Sequence, residues 1–151
     1  MKPLILLLIS FLLIGSGIRV YEGAWNMPLA GKAAMAIMLL FTGAAHFKFI
    51  AGMTAMLPAF VPFRKAIVYA TGILEMIAAV GLLCNNISVG VAWSLIAFFI
   101  LVLPANIYAA LRKINYEKPN EKGPSARYLW FRVPLQLFFI AWVYFFSIIN
   151  Q

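Results

Sequence analysis

Five long apolar runs constrain the fold of this chain more than any other feature of its sequence. They cover residues 3–20, 33–49, 66–83, 87–111 and 128–149. As an α-helix that rises about 1.5 Å per residue, each run would cross most or all of a hydrocarbon core about 30 Å thick. The apolar positions follow a helical period, without the alternation of a barrel strand. The sequence therefore predicts an all-α, polytopic membrane bundle of five helices.

The composition supports the same class of protein. Hydrophobic residues make up 65% of the 151 residues and charged residues 11%, which leaves too little polar surface for a soluble domain. A chain of this length has room for several spans and short connections, but not for a separate soluble domain as well. We therefore expect one membrane domain over residues 1–151.

The first apolar run allows two interpretations. Lys2 precedes it, and the small residues Gly15, Ser16 and Gly17 lie near its end, as in a secretory signal peptide. The run nevertheless continues to Val20, and the chain that follows is itself membrane-embedded. We expect a retained helix, with a cleaved signal peptide as the alternative.

The distribution of basic residues predicts the orientation of the spans. The formal net charge is +8, from 12 Lys and Arg against 4 acidic residues. Residues 112–127 (RKINYEKPNEKGPSAR) form the clearly hydrophilic loop, and basic loops stay on the cytoplasmic side. Counting spans back from this loop also places Lys2, Arg64 and Lys65 inside. We expect the N-terminus inside and the C-terminus outside, and basic residues this scattered do not predict nucleic-acid binding.

The segment AGMTAMLPAFVPFRK, residues 51–65, is too apolar for an ordinary loop. Pro58 and Pro62 interrupt it too often for a helix. We expect the segment to lie at the inner interface, with Phe60 and Phe63 among the headgroups, or to dip partly into the membrane.

Five polar side chains lie inside the apolar runs, where lipid should reject them. They are His46, Glu75, Asn106, Arg132 and Gln136. Counted from the inner helix ends, four of them lie roughly 5 to 12 Å deep, and Glu75 lies nearer the middle. A charge that faced lipid near the centre would cost roughly 2 to 4 kcal/mol, so we expect the bundle to gather these residues into one pocket in its cytoplasmic half. Glu75 lies on a stripe of small residues, and we expect it to face inward and to pair with Arg132.

Two interpretations of this pocket stay open. In the first, Glu75, His46 and Arg132 hold or deprotonate the polar head of a lipid-soluble molecule, such as a quinone, a sterol-like molecule or an isoprenoid, and aromatic residues line its tail. Those aromatic residues are Phe98, Phe99, Phe138 and Trp142. In the second, the charged pair and the hydrogen bonds of Asn106 and Gln136 only fix the helix packing. His46, near the end of its run, could instead meet lipid headgroups.

Other kinds of chemistry find little support in the sequence. One histidine and one carboxylate, with no second thiol, fall short of a closed metal-ligand set, so we expect no metal. Cys84 is the single cysteine, and it cannot form an intramolecular disulfide. No nucleophile elbow, P-loop or dinucleotide-binding pattern is present. Catalytic residues therefore stay unassigned, and no covalently bound cofactor is expected.

Four stretches taken together resemble the DoxX-like family of small bacterial membrane proteins. They are FTGAAHF, LPAFVPFRKAIVYATGILEMIAAVGLL, LPANIYAAL and LWFRVPLQLFFIAWVYF, in that order and within residues 39–146. The resemblance implies a four-helix core over residues 33–151, an added helix and outer loop over residues 1–32, and the bacterial cytoplasmic (inner) membrane. Its motif positions are the five polar residues together with Pro62, Pro104 and Pro134. Relatives that work in cysteine redox chemistry carry paired cysteines, which this chain lacks.

The resemblance and the polar cluster together lead to competing functions. The family takes its name from a thiosulfate:quinone oxidoreductase subunit, which implies a redox-associated subunit that binds a quinone or a similar lipid-soluble molecule. The alternative is a non-catalytic assembly factor or interaction subunit, with a membrane or cytoplasmic protein partner on the loop that begins at Arg112 and ends at Arg127. A transporter is a third choice, although the five helices show no internal symmetry. Whether the protein is an enzyme stays open.

Overall fold

The computed structural model describes residues 2–115, 117, 123 and 129–150. Its helices are α1 (Lys2–Glu22), α2 (Met27–Lys48), α3 (Ile50–Ala55), α4 (Arg64–Leu83), α5 (Ser88–Leu111) and α6 (Leu129–Tyr144), and a π-helical turn (Phe145–Ile149) continues α6. Within these described ranges, α1, α2, α4, α5 and α6 with its π-helical turn are each long and apolar enough to cross a membrane. The predicted all-α bundle of five spans is therefore confirmed.

α2 is the central helix of the bundle, because it packs against more of the other helices than any other helix does, although one face with Ile37, Leu40 and Phe41 is exposed. Ala30, Ala34, Met35, Met38 and Leu39 are all enclosed. α1, α4 and the π-helical turn pack around this helix, and α5 lies between α4 and α6. The outward faces of the surrounding helices carry large exposed apolar side chains, as contact with lipid tails requires.

Consecutive long helices run antiparallel, so their ends gather at two levels. Asn106, late in α5, contacts Arg132, early in α6, and Gly31, early in α2, contacts Trp142, late in α6. One level, called here the basic end, holds most basic side chains of the described residues. They are Lys2, Lys48, Arg64, Lys65, Arg112 and Lys113.

An exposed ion pair ties the first helix to the loop at the basic end. Lys2 Nζ lies 2.8 Å from Glu117 Oε1. The opposite level, called here the distal end, carries the basic residues Arg19 and Lys32. Most of the loop predicted to receive a protein partner, including residues 118–122 and 124–128, lies outside the described residues.

The start of α2 differs from the sequence prediction, which places it at residue 33. Asn26 caps the helix, since its side-chain oxygen accepts a hydrogen bond of 3.1 Å from the backbone N–H of Leu29. Pro28 occupies the first turn, where its missing N–H costs nothing. An asparagine cap followed by proline is a recognised start signal, and it outweighs the low hydropathy of residues 27–32.

The segment after α2 is also partly different from its prediction. Residues 50–55 form the short helix α3, although the sequence predicts no helix there. Pro58 restricts the backbone conformation only at its own position and at the residue before it. The turn that precedes these two residues can therefore be helical. Beyond α3 the chain is irregular, and Phe60 and Phe63 are 85% and 84% exposed at the basic end, where the sequence places them among headgroups.

Candidate functional site

The five predicted site residues fall into two groups rather than one pocket. His46 and Glu75 meet between α2 and α4, whereas Asn106, Arg132 and Gln136 meet between α5 and α6. Among the described residues, the basic partner of Glu75 within 4.0 Å is His46, so the expected Glu75–Arg132 pair is not formed. The reason is helix order, since α4 packs against α2 and α5 while Arg132 on α6 turns toward α5.

Two glycines let α2 and α4 approach closely at the first group. A methyl group on Gly72 would lie 2.7 Å from His46 Cβ and 3.1 Å from the carbonyl oxygen of Gly43. A methyl group on Gly43 would lie 2.9 Å from Met76 Cγ and 3.0 Å from the carbonyl oxygen of Gly72. Small residues commonly permit such crossings in membranes. This crossing sets the position of the His46 and Glu75 side chains.

The backbone of α2 fixes one nitrogen of the His46 ring. Nδ1 lies 2.9 Å from the carbonyl oxygen of Thr42. Because a carbonyl oxygen can only accept, Nδ1 carries a hydrogen and donates it. In the neutral ring Nε2 is therefore an acceptor, and it has no protein partner within the described part of the chain. The side chain is half-buried, so Nε2 is accessible to a bound molecule.

Glu75 is the buried acid of this group, with 8% of the residue exposed. Its Oε2 lies 3.8 Å from Nδ1 of His46, beyond hydrogen-bond distance, and it is enclosed without any hydrogen-bond partner among the described residues. Gly72 and Ala79, on the same face of α4, are buried with it, as the small-residue stripe indicates. A buried polar atom without a partner costs about 1 to 3 kcal/mol. The folded protein therefore holds an acceptor that a bound donor would satisfy.

The second group is a chain of hydrogen bonds that joins α5 to α6. Arg132 Nη1 donates to Asn106 Oδ1 at 3.2 Å, and Asn106 Nδ2 donates to Gln136 Oε1 at 3.1 Å. Gln136 Nε2 then donates to the carbonyl oxygen of Phe99 at 2.6 Å. Each amide accepts once and donates once, so the oxygen and the nitrogen of both side chains are engaged. The arrangement locks two helices together.

A proline lies beside this chain of hydrogen bonds on each of the two helices. Pro104 lies inside α5 and cannot donate to the carbonyl of Ile100, one turn earlier. The neighbouring carbonyl, that of Phe99, receives the Gln136 amide. Membrane helices tolerate proline where side chains satisfy the backbone around it. Pro134 lies inside α6 between Arg132 and Gln136, so a proline accompanies the polar residues on both helices.

The aromatic residues expected to line a ligand tail pack against one another instead. Phe98 contacts Phe99 with ring centroids 6.1 Å apart, and Phe138 contacts Trp142 at 5.5 Å. Phe99 also packs on Phe139, and its side chain is buried. Phe99 and Trp142 are buried in the core of the bundle, whereas Phe138 is 38% exposed.

Lys32 is a buried polar residue that the sequence interpretation misses. The hydropathy pattern assigns it to an outer loop, because the span is expected to begin after it. The Asn26 cap starts α2 earlier, and Lys32 becomes part of the membrane helix with 6% of the residue exposed. The capping signal in the sequence would have revealed this position.

The fold and the site together define a class of protein, a five-span α-helical membrane bundle with an unsatisfied carboxyl oxygen between two helices. No group of three or more potential metal ligands occurs within the described ranges. The chain belongs to the family described as Domain of unknown function (DUF8561), which it matches over residues 35–147. This match covers most of α2 and all of α3 to α6, and α1 lies outside it. Neither a curated protein nor a solved structure matches the chain.

Proposed function

We propose that this is a DoxX-like protein of the bacterial cytoplasmic membrane that binds the polar head of a quinone or a similar lipid-soluble molecule between α2 and α4. The observation that supports this proposal most is the enclosed Oε2 of Glu75, which has no hydrogen-bond partner in the described structure and lies beside His46. Ionisable groups at membrane depth that lack a structural partner commonly mark a ligand or proton site.

Two side-chain atoms without protein partners in the described structure, the partly accessible Nε2 of His46 and the enclosed Oε2 of Glu75, limit the chemistry of the ligand. Nε2 of the neutral His46 ring accepts a hydrogen bond because Nδ1 already donates to Thr42. Oε2 of an ionised Glu75 also accepts. The best partner therefore presents a hydroxyl group, as the reduced quinol form of a quinone, a sterol or an isoprenoid alcohol does. A quinone head, when bound, exchanges electrons together with protons, and His46 and Glu75 would hold or receive those protons.

The surroundings of His46 would allow a ligand to enter the site sideways from the lipid. Phe47 follows His46 directly, and its ring packs on Tyr69 of α4 at 5.6 Å. Both aromatic side chains are exposed on the outside of the bundle, where they would touch lipid. A hydrophobic molecule could reach His46 along this aromatic pair without crossing the packed core.

The orientation forms part of the same proposal. The basic end faces the cytoplasm, the N-terminus is inside and the C-terminus is outside. The gathering of basic side chains at one level of the bundle supports this orientation, because positively charged loops are retained on the cytoplasmic side. His46 and the α5–α6 polar chain then lie in the cytoplasmic half of the membrane.

A second candidate is a non-catalytic assembly factor or interaction subunit. The chain from Arg132 to Phe99 favours it, because the oxygen and the nitrogen of both amide side chains already bond to the protein. In this case copurification from native membranes yields a stoichiometric protein partner, and no small molecule is retained.

Extraction of purified protein tests the main proposal. Organic extracts of the wild type, analysed by mass spectrometry, should contain a hydroxyl-bearing lipid-soluble molecule in stoichiometric amount. Glu75→Gln replaces one acceptor oxygen with a donor and should lose that molecule while circular dichroism shows an intact helical bundle. Glu117→Gln, which changes a carboxyl group at the basic end, is the matched control and should retain the molecule. Equal retention by Glu75→Gln would rule out this site.

A further inference from the structure

Lys32 is a second membrane-embedded charge that the proposed ligand site does not use. It lies in the second turn of α2, within the helix that forms the centre of the bundle. The residue is 94% buried, since 6% of it is exposed. Lysine is almost never enclosed to this extent unless it has a partner.

No partner for Lys32 is found in the part of the chain that the structure describes. The ion pairs there are Lys2 with Glu117 and His46 with Glu75. Glu22, the acidic residue at the distal end, is exposed and makes no ion pair with Lys32. No side-chain or backbone oxygen in the described ranges accepts a hydrogen bond from Nζ. Within the described residues, Lys32 is therefore a cation without a counter-ion.

The ammonium nitrogen of Lys32 keeps some accessible surface. The fully enclosed side-chain N and O atoms without partners in the described residues are Thr54 Oγ1 and Glu75 Oε2, and Lys32 Nζ is not one of them. The residue as a whole is nevertheless buried. An anionic oxygen could contact the nitrogen at its accessible side.

The depth of the tip matches the headgroup region. Lys32 lies about 8 Å along the axis from the first residue of α2, and the Cβ of a helical residue points toward the helix N-terminus. A side chain that follows this direction would place Nζ between the level of the Lys32 backbone and that of Asn26, where α2 begins. Arg19 and Trp25 form a cation–π contact of 5.6 Å at the same distal end. Interfacial aromatic and basic residues of this kind mark the membrane boundary.

The residue before Lys32, Gly31, is tightly packed. Trp142 Nε1 donates to the carbonyl oxygen of the neighbouring Gly31 at 3.1 Å. A methyl group on Gly31 would collide with the ring of Phe146, so the π-helical turn packs directly on this part of α2. On its other side, Lys32 shares the α4-facing surface of α2 with Gly43 and His46 by helical period. The backbone that carries Lys32 therefore lies in a closely packed part of α2.

We propose that Lys32 is an anion-binding residue that holds a phosphate group at the distal end of the bundle. The buried lysine lacks a protein counter-ion in the described structure, and it lies within two turns of the end of a membrane-spanning helix, where a phospholipid phosphate would be within reach. A lipid headgroup and free inorganic phosphate share this chemistry. The site is independent of the His46–Glu75 site, which lies nearer the basic end.

Native mass spectrometry of the full chain tests this proposal with a phosphatidylglycerol probe. Wild-type protein in mixed micelles should retain one more phosphatidylglycerol than Lys32→Met, and Lys32→Met should bind that lipid roughly ten- to a hundred-fold more weakly, as expected for loss of one charge-assisted hydrogen bond. Lys65→Met removes an exposed lysine at the basic end and should bind as the wild type does. Lys32→Arg, which keeps the charge, should preserve most of the binding.

Two further measurements distinguish a lipid headgroup from free phosphate and control for misfolding. If free phosphate is the occupant, inorganic phosphate added in detergent should raise the thermal midpoint of the wild type but not that of Lys32→Met. If a lipid is the occupant, only phosphatidylglycerol should raise the midpoint of the wild type. Lys32→Gln is measured in the same way if Lys32→Met does not fold. Equal affinity of the wild type and the neutral variants for both probes overturns the proposal, and Lys32 is then only a solvated cation.

Discussion

The tight crossing of α2 and α4 gives a prediction whose size follows from the structure. Gly72→Ala would place a methyl group 2.7 Å from His46 Cβ and 3.1 Å from the backbone oxygen of Gly43. Neither neighbour is the flexible end of a side chain, so the two helices must separate. Overpacking of this kind costs about 1 to 3 kcal/mol, and the better helix propensity of alanine returns up to about 1 kcal/mol. The net loss then lies between about 0 and 3 kcal/mol, and we expect a value near the middle of this range, about 1.5 kcal/mol.

Gly90 provides the matched control for this prediction. It lies in α5, and a methyl group added to it would meet no atom within 4 Å. Gly90→Ala should therefore be neutral or up to about 1 kcal/mol more stable. Equilibrium unfolding in mixed micelles, followed by circular dichroism, measures both changes. If Gly72→Ala is as stable as Gly90→Ala, the helices do not cross as closely as described, and the positions of His46 and Glu75 lose their explanation.

Three further predictions concern other parts of the bundle. Gln136→Leu removes the hydrogen bonds to Phe99 and Asn106 and should lower the free energy of unfolding by about 1 to 3 kcal/mol. A stability equal to that of the wild type would show that the α5–α6 chain of hydrogen bonds does not stabilise the bundle. Trp142→Phe keeps the aromatic packing but loses the bond to Gly31, so it should cost about 1 kcal/mol in the same assay; no change would mean that this bond is unimportant. Cys84 is exposed at the distal end, so a membrane-impermeant maleimide should label it on intact cells, and labelling only after lysis would reverse the proposed orientation.

The membrane spans are predictable from the sequence because the bilayer itself sets their length and hydropathy. A helix that crosses lipid must hide its own backbone and present apolar side chains, so the predicted bounds of α4 and α5 agree with the structure to within two residues at each end. The inward face of Glu75 is predictable for a related reason. Its neighbours Gly72 and Ala79 share its helix face, and this periodicity is local.

The grouping of the polar residues cannot be obtained in the same way. Depth along a helix follows from counting residues, but the order of helices around the bundle depends on packing between segments far apart in sequence. Glu75 and Arg132 have compatible predicted depths, yet α4 faces α2 and Arg132 faces α5. Lys32 escapes prediction for a different reason, because low hydropathy masks the Asn26 capping signal at the start of α2.

Protection of Glu75 from a hydrophobic carbodiimide tests the central claim most directly. The reagent modifies carboxyl groups from within the membrane, and peptide mass spectrometry reports its rate at Glu75 in the purified protein. We predict that a short-chain quinol slows the modification of Glu75, because the quinol occupies the site beside His46. As a control, a water-soluble carbodiimide should modify Glu117 at the same rate with or without the quinol. An unchanged rate at Glu75 across saturating quinol and other hydroxyl-bearing lipids would contradict the account.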